Sequence, residues 1–100
     1  MKYSHDYDKL DSEFYTTIRR YPKGKKGDVI EEVYPHGNHQ AQIRMITRPT
    51  LDSLSLSVLI ADTDLERRKE IYDLFQSFYK KPIDFVNERF YMYYLKKVYQ

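Results

Sequence analysis

Five cations, Arg19, Arg20, Lys23, Lys25 and Lys26, fall within eight residues that contain no acid. They follow Thr16-Thr17-Ile18, a β-branched run that reads as strand, so the two arginines sit on a rigid element and the lysines on the turn after it. A guanidinium held on a strand can grip phosphate or carboxylate bidentately, and lysines on a neighbouring loop add point charge. Side chains alternate along a strand, so Arg19 shares a face with Thr17 and Arg20 points the other way. The segment predicts an anion-recognising site.

Other residue types with chemical potential are sparser. Glu70 falls at the margin of an amphipathic helical pattern, where partial desolvation raises a carboxyl pKa and suits general acid or base work. A surface glutamate pairing with Arg67 or Lys69 satisfies the same pattern. His36 and His39 flank a turn without a third ligand at metal-binding spacing, so no metal and no cofactor is expected. Eleven tyrosines are many for 100 residues. Most are expected to fill a small core with their hydroxyls at its rim, leaving Tyr21 and Tyr79 as candidates for stacking on a nucleobase. No phosphate-binding loop, dinucleotide fingerprint or Ser-His-Asp spacing occurs.

Composition narrows the setting. The length fits one domain with one core. There is no cysteine, hence no disulfide framework or thiolate nucleophile, and no apolar run long enough to span a bilayer. The polar, acidic start from Met1 to Lys9 does not have the pattern of a secretory signal, so a cytoplasmic location is expected. The net charge of +2 is small. Its distribution says more, because acids gather before the basic run (Asp6, Asp8, Asp11, Glu13) and again from Asp62 to Asp73, leaving a local positive patch.

Residues 1–12 lack periodicity and are expected to form a flexible arm ahead of a domain over 13–100. Strands are predicted at 13–21, 29–34 and 40–48, separated by Pro/Gly turns, with Ala41, Ile43, Met45 and Thr47 on one buried face. The period then changes. A short helix is predicted over 52–60 and an amphipathic one over 65–79, with Thr63 and Glu66 as a capping box and Pro82 as the stop. A Tyr-rich strand over 89–99 closes the chain. Three strands, a helical pair and a last strand define an α+β fold.

The Thr-Thr-Ile-Arg-Arg strand, the Lys-rich turn into Gly27-Asp28-Val29, the Leu59-Ile60-Ala61-Asp62-Thr63 segment and the helix ending in Phe78-Tyr79 resemble ASCH domains of the PUA-like superfamily, over about residues 13 to 98. The glycine-lysine-threonine signature that precedes the strand in that family is absent, so the resemblance is to a divergent member. It implies a small β-barrel with the helical pair covering one opening, and an RNA-binding cleft lined by the Thr-x-Arg strand. On that reading Arg19 enters the cleft, while Arg20 and the lysines contact backbone phosphate from outside.

Some small ASCH proteins look like amidohydrolases acting on N-acetylated cytidine through a lysine, a threonine and a glutamate. The threonine matches Thr17 and the glutamate Glu70, whereas the lysine falls on Phe14, which cannot act as a base. The leading expectation is therefore a non-enzymatic module that binds RNA or a nucleotide-like anion, with the small amidohydrolase as the alternative. A third possibility is an interaction protein that forms a homodimer through its C-terminal strand.

Overall fold

The computed structural model describes residues 1–98. Four strands, β1 (Phe14–Arg19), β2 (Val29–Tyr34), β3 (Gly37–Thr47) and β4 (Tyr91–Val98), form one antiparallel sheet in the order β1-β4-β3-β2. Helices α1 (Leu56–Thr63) and α2 (Arg68–Ser77) are inserted between β3 and β4. The α+β class and the helical insertion match the sequence pattern.

The sheet is curled but not closed into a barrel. β1 and β2 are its two edges. They meet through side chains instead of a ladder: Tyr15 Oη on β1 donates to Glu32 Oε1 on β2 at 2.9 Å. Residues 1–12, expected as a loose arm, are packed across this opening. Tyr3 N donates to Val33 O and Val33 N to Met1 O, both at 2.8 Å, adding a short parallel bridge at β2. Tyr3, Lys9 and Leu10 are buried. The arm is held by the interior of the sheet, which its lack of periodicity could not reveal.

Each face of the sheet carries a core. On one face Ile18 and Met92 pack against Leu59, Ile71, Phe75 and Phe90, a dry cluster under the helices. On the other, Tyr15, Ala41, Ile43, Tyr93 and Leu95 pack against Tyr3 and Leu10 of the arm. That second face encloses a polar centre. Fully buried Glu32 accepts from Tyr3 Oη at 2.7 Å, from Tyr15 Oη, and from the Met1 amine at 2.9 Å. A buried carboxylate is tolerated when its oxygens are satisfied in this way. Burial and the neighbouring Glu32 charge push both tyrosine hydroxyls well above the usual phenol range.

Local chemistry explains where the elements differ from the sequence pattern. A register shift between Ile43 and Met45 inserts Arg44 as an extra residue in β3. Alternation therefore breaks: Ala41 and Ile43 are buried, Met45 turns outward, and Ile46 packs inward in its place. Helix α1 starts later than expected, at the Ser55 cap, whose Oγ accepts from Val58 N. Thr63 and Glu66 form no capping box. Thr63 ends α1 with its hydroxyl donating to Leu59 O, and the residue that caps α2, Arg67, makes no side-chain cap hydrogen bond. Gly27 holds φ 93° in the basic turn, a conformation that disfavours side-chain-bearing residues, and its N–H donates to Ile43 O at 2.7 Å.

β4 lies between β1 and β3, so both of its backbone edges are used. Tyr93 is fully buried and Tyr91 lies under the Arg48 guanidinium, 3.7 Å from its ring centroid. This strand offers no free edge for dimerisation. Tyr99 and Gln100 lie outside the described residues.

Candidate nucleic-acid interface

Beyond the outer edge of β1, between the arm and the helices, lies a cleft of about 400 Å³. Strand β1 supplies Thr17 and Arg19, the arm supplies Lys2, Tyr3, Tyr7 and Lys9, and the ends of α1 and α2 supply Asp62, Phe75, Phe78 and Tyr79. Tyr21 and Lys23, at the start of the basic turn, complete its rim. Lys2, Lys9, Arg19 and Lys23 bring four cations to the lining against one carboxylate, Asp62.

Asp62 is neutralised internally. Lys9 Nζ donates to its Oδ1 at 2.9 Å, and both side chains are buried. Burial pulls the Lys9 ammonium below its ordinary pKa, with the Asp62 charge opposing that shift. Lys9 also lies 5.5 Å from the ring centroids of Tyr3 and Tyr7. A cation between two rings and a carboxylate is a fixed element, not a mobile surface charge.

Arg19 differs. Its guanidinium rests over Tyr3, 4.7 Å from the centroid, and one terminal nitrogen donates to Lys2 O at 3.1 Å. Its Nε is buried and has no partner, alone in this among buried side-chain polar atoms of the described residues. Such a donor carries an uncompensated desolvation cost that a bound anion would remove.

The sequence-predicted residues separate into those at the cleft and those elsewhere. Thr17, Arg19, Tyr21, Lys23 and Tyr79 line it. Tyr21 is exposed and meets Tyr79 edge-on, with centroids 6.0 Å apart. Thr17 is only 2% exposed.

Arg20 is not available to phosphate. Its Nε and a terminal nitrogen grip Glu88 at 2.6 and 3.0 Å, and its terminal nitrogens also donate to the carbonyls of Lys81 and Pro82. The Glu88 pair raises its pKa further. This arginine ties the end of β1 to the segment after α2. Lys25 and Lys26 are exposed on the turn, outside the cleft lining.

Thr17 and Glu70 are not brought together: Glu70 is exposed on α2 and absent from the cleft lining. Phe14, at the position of the missing lysine, is 62% exposed and also faces elsewhere. His36 is exposed and paired with Asp6, and His39 sits on β3 between the hydroxyls of Tyr15 and Tyr34. No cluster of three metal-ligating side chains occurs among the described residues.

Sequence reasoning missed Lys2, Tyr3, Tyr7, Lys9 and Asp62. One signal was present: Tyr3, Tyr7 and Leu10 recur at four- and three-residue spacing, which can put all three on one side of a turning segment. Asp62 lay within the resembling segment but carried no pattern that distinguishes a buried carboxylate from a surface one.

Models of protein families, curated proteins and solved structures were compared with the chain, and none matches it.

Proposed function

We propose that this chain is a non-catalytic module that binds RNA through the cleft, in the manner of a divergent, opened PUA-like or ASCH domain. The observation that carries this reading is the buried, unpartnered Nε of Arg19 in a cleft that combines cations with aromatic rings. A phosphate would engage Arg19, with Lys2 and Lys23 adding charge. An unstacked base would find Tyr21 and Tyr79 at the rim, in the mode by which aromatic side chains receive bases of single strands. The absence of Glu70 from the cleft lining favours binding over hydrolysis.

The test is fluorescence anisotropy with single-stranded and structured RNA oligonucleotides across a salt titration, with duplex DNA as control. RNA is expected to bind more tightly than DNA, with a shallow log-log salt slope that reflects few phosphate contacts. Arg19→Ala should weaken RNA binding about tenfold or more, the usual consequence of losing a charge-assisted hydrogen bond. Equal affinity in that variant, or no RNA binding at low salt, would sink the proposal. Incubation with N-acetylated cytidine should leave the nucleoside intact.

A further inference from the structure

A second cavity, of about 640 Å³, shares only Lys9 with the cleft and is not used by the RNA reading. Phe14, Val58, Ile60, Ala61, Met92 and Tyr94 give it an apolar surface. It continues along β1 into a smaller hollow of about 240 Å³ that shares Phe14, Thr16 and Tyr94 and has Arg44 at its far end. Phe14 is 62% exposed beside this groove, with the Lys96 ammonium 5.6 Å from its ring centroid and the rest of the ring in water. Exposed apolar surface bordered by polar residues is a common mark of a docking site.

The rim of the larger cavity is acidic. Asp8, Asp64 and Glu66 are all exposed there, and none of them forms an ion pair among the described residues. Lys9 is the one cation of this lining, and its ammonium is committed to Asp62. The position of the rim is fixed: Asp64 Oδ2 accepts from Asp8 N at 2.9 Å, which ties the arm to the end of α1. Apolar surface edged by three unneutralised carboxylates is complementary to an apolar segment carrying positive charge.

The strand beside the groove adds a third element. β1 pairs only with β4 among the described residues. Lys97 N donates to Glu13 O, so Glu13, Tyr15 and Thr17 turn their backbone groups toward β4. The backbone groups of Phe14 and Thr16 therefore face away from the sheet. No backbone hydrogen bond reaches them from outside it. An extended peptide can add to such an edge while its side chains enter the neighbouring groove.

We propose that this groove docks a segment of a partner protein: an extended peptide with apolar anchors over Phe14, Ile60 and Met92, and lysine or arginine residues against Asp8, Asp64 and Glu66. Arg44 at the opposite end sets the direction, because the peptide's basic residues avoid it. The inference stands independently of RNA binding, since the groove and the cleft have only Lys9 in common.

The test uses the ¹⁵N-labelled full chain and three capped hexapeptides: Lys-Lys-Leu-Phe-Lys-Lys, Glu-Glu-Leu-Phe-Glu-Glu and Lys-Lys-Ser-Ser-Lys-Lys. The first, titrated to millimolar concentration, is expected to shift the amides of Phe14, Thr16, Ala61, Asp64 and Glu66 and to leave those of Arg19 and Tyr79 in place. The paired charge reversals Asp8→Lys and Glu66→Lys, both at exposed positions, should weaken that binding at least tenfold. Their spectrum elsewhere should remain unchanged, and their RNA affinity should not fall, since both changes add positive charge.

Several outcomes would overturn the proposal. No shift with the first peptide is one, and equal shifts with the acidic or serine peptide is another. Concentration-dependent shifts at Phe14 without peptide would assign the groove to a second copy of this chain. Shifts of the Phe14 and Ala61 amides on adding RNA without peptide would assign it to nucleic acid.

Discussion

The two cavities beside β1 differ in charge, in what has satisfied their polar groups and in what they leave open. The cleft gathers cations and aromatic rings and leaves the buried Arg19 Nε without a partner. The groove gathers apolar side chains, aromatic and aliphatic, and leaves three carboxylates without cations. Lys9 lines both and is paired with Asp62, whose Oδ1 lies 3.4 Å from the Thr16 hydroxyl. Adjacent residues of one strand thus serve opposite environments, Thr17 the cleft and Thr16 the groove. A strand's two-residue period makes this possible.

Breaking the Lys9–Asp62 pair should have the largest effect. Asp62→Leu leaves the Lys9 ammonium buried and unpaired, which is expected to cost about 3–5 kcal/mol of stability. Lys9→Met combined with Asp62→Leu removes both charges and should recover most of that loss, because two apolar groups of similar volume replace an ion pair taken from water. Urea unfolding of the two variants measures the difference. A double variant as unstable as the single one would mean that lost packing, not an unpaired ammonium, sets the cost.

Arg19 and Arg20 sharpen the contrast between a group that is occupied and one that is open. Neighbours in the chain, they have opposite fates because the strand turns them to opposite sides. Arg20→Ala should lower the melting temperature, because the Glu88 pair and the carbonyl contacts are lost, and leave RNA affinity within about twofold. Arg19→Ala should do the reverse. Thermal melts set beside anisotropy titrations separate the two. Loss of affinity in the Arg20 variant without loss of stability would move the anion site to the outer face of the strand.

The same pair shows how far the chain could be read before its structure. Alternation and β-branching located β1 and put Thr17 and Arg19 on one side, because those signals are local. The fate of Arg20 was invisible, since Glu88 lies 68 residues away. The arm was misjudged for a related reason. Its anchoring groups are single residues, Tyr3 to Glu32 and Lys9 to Asp62, each facing a distant partner, and the spacing of Tyr3, Tyr7 and Leu10 does not name those partners. In β3, one extra residue at Arg44 undid an alternation that was correct up to Ile43. Closure of a barrel likewise depends on whether β1 and β2 meet by ladder or by side chains, which neither strand records in its own sequence.

Lys23 offers a smaller test of where the cleft ends. Its backbone N–H is held by the Tyr93 hydroxyl at 2.6 Å, which fixes the first part of the basic turn over the cleft. Lys25 and Lys26 extend beyond it. Lys23→Ala should reduce the salt slope of RNA binding by about 0.7, the contribution of one phosphate contact on a single strand. Lys25→Ala should change it less. Equal slopes for these two variants would extend the binding surface along the whole turn.

The mildest lever reaches both cavities through the arm they share. Below the arm, His39 lies between Tyr15 and Tyr34, and Tyr15 in turn holds Glu32, which anchors Tyr3. Burial and the nearby Lys97 hold the His39 pKa below its ordinary 6.5. Its contribution to stability is therefore fully present above about pH 6.5 and lost as pH falls through the folded value. Exposed His36 has the opposite sign, because Asp6 raises its pKa: its contribution is present below 6.5 and lost as pH rises through its folded value. Asp6 and Asp84 are held below 3.8 and titrate outside this window. In a His36→Gln background, lowering the pH from 7.5 to 5 should lower the urea midpoint, and adding His39→Gln should flatten that dependence. RNA and peptide affinities should weaken together over the same interval, since the arm contributes Tyr3 to the cleft and Asp8 to the groove. Weakening of only one affinity would show that the two cavities do not depend equally on the arm.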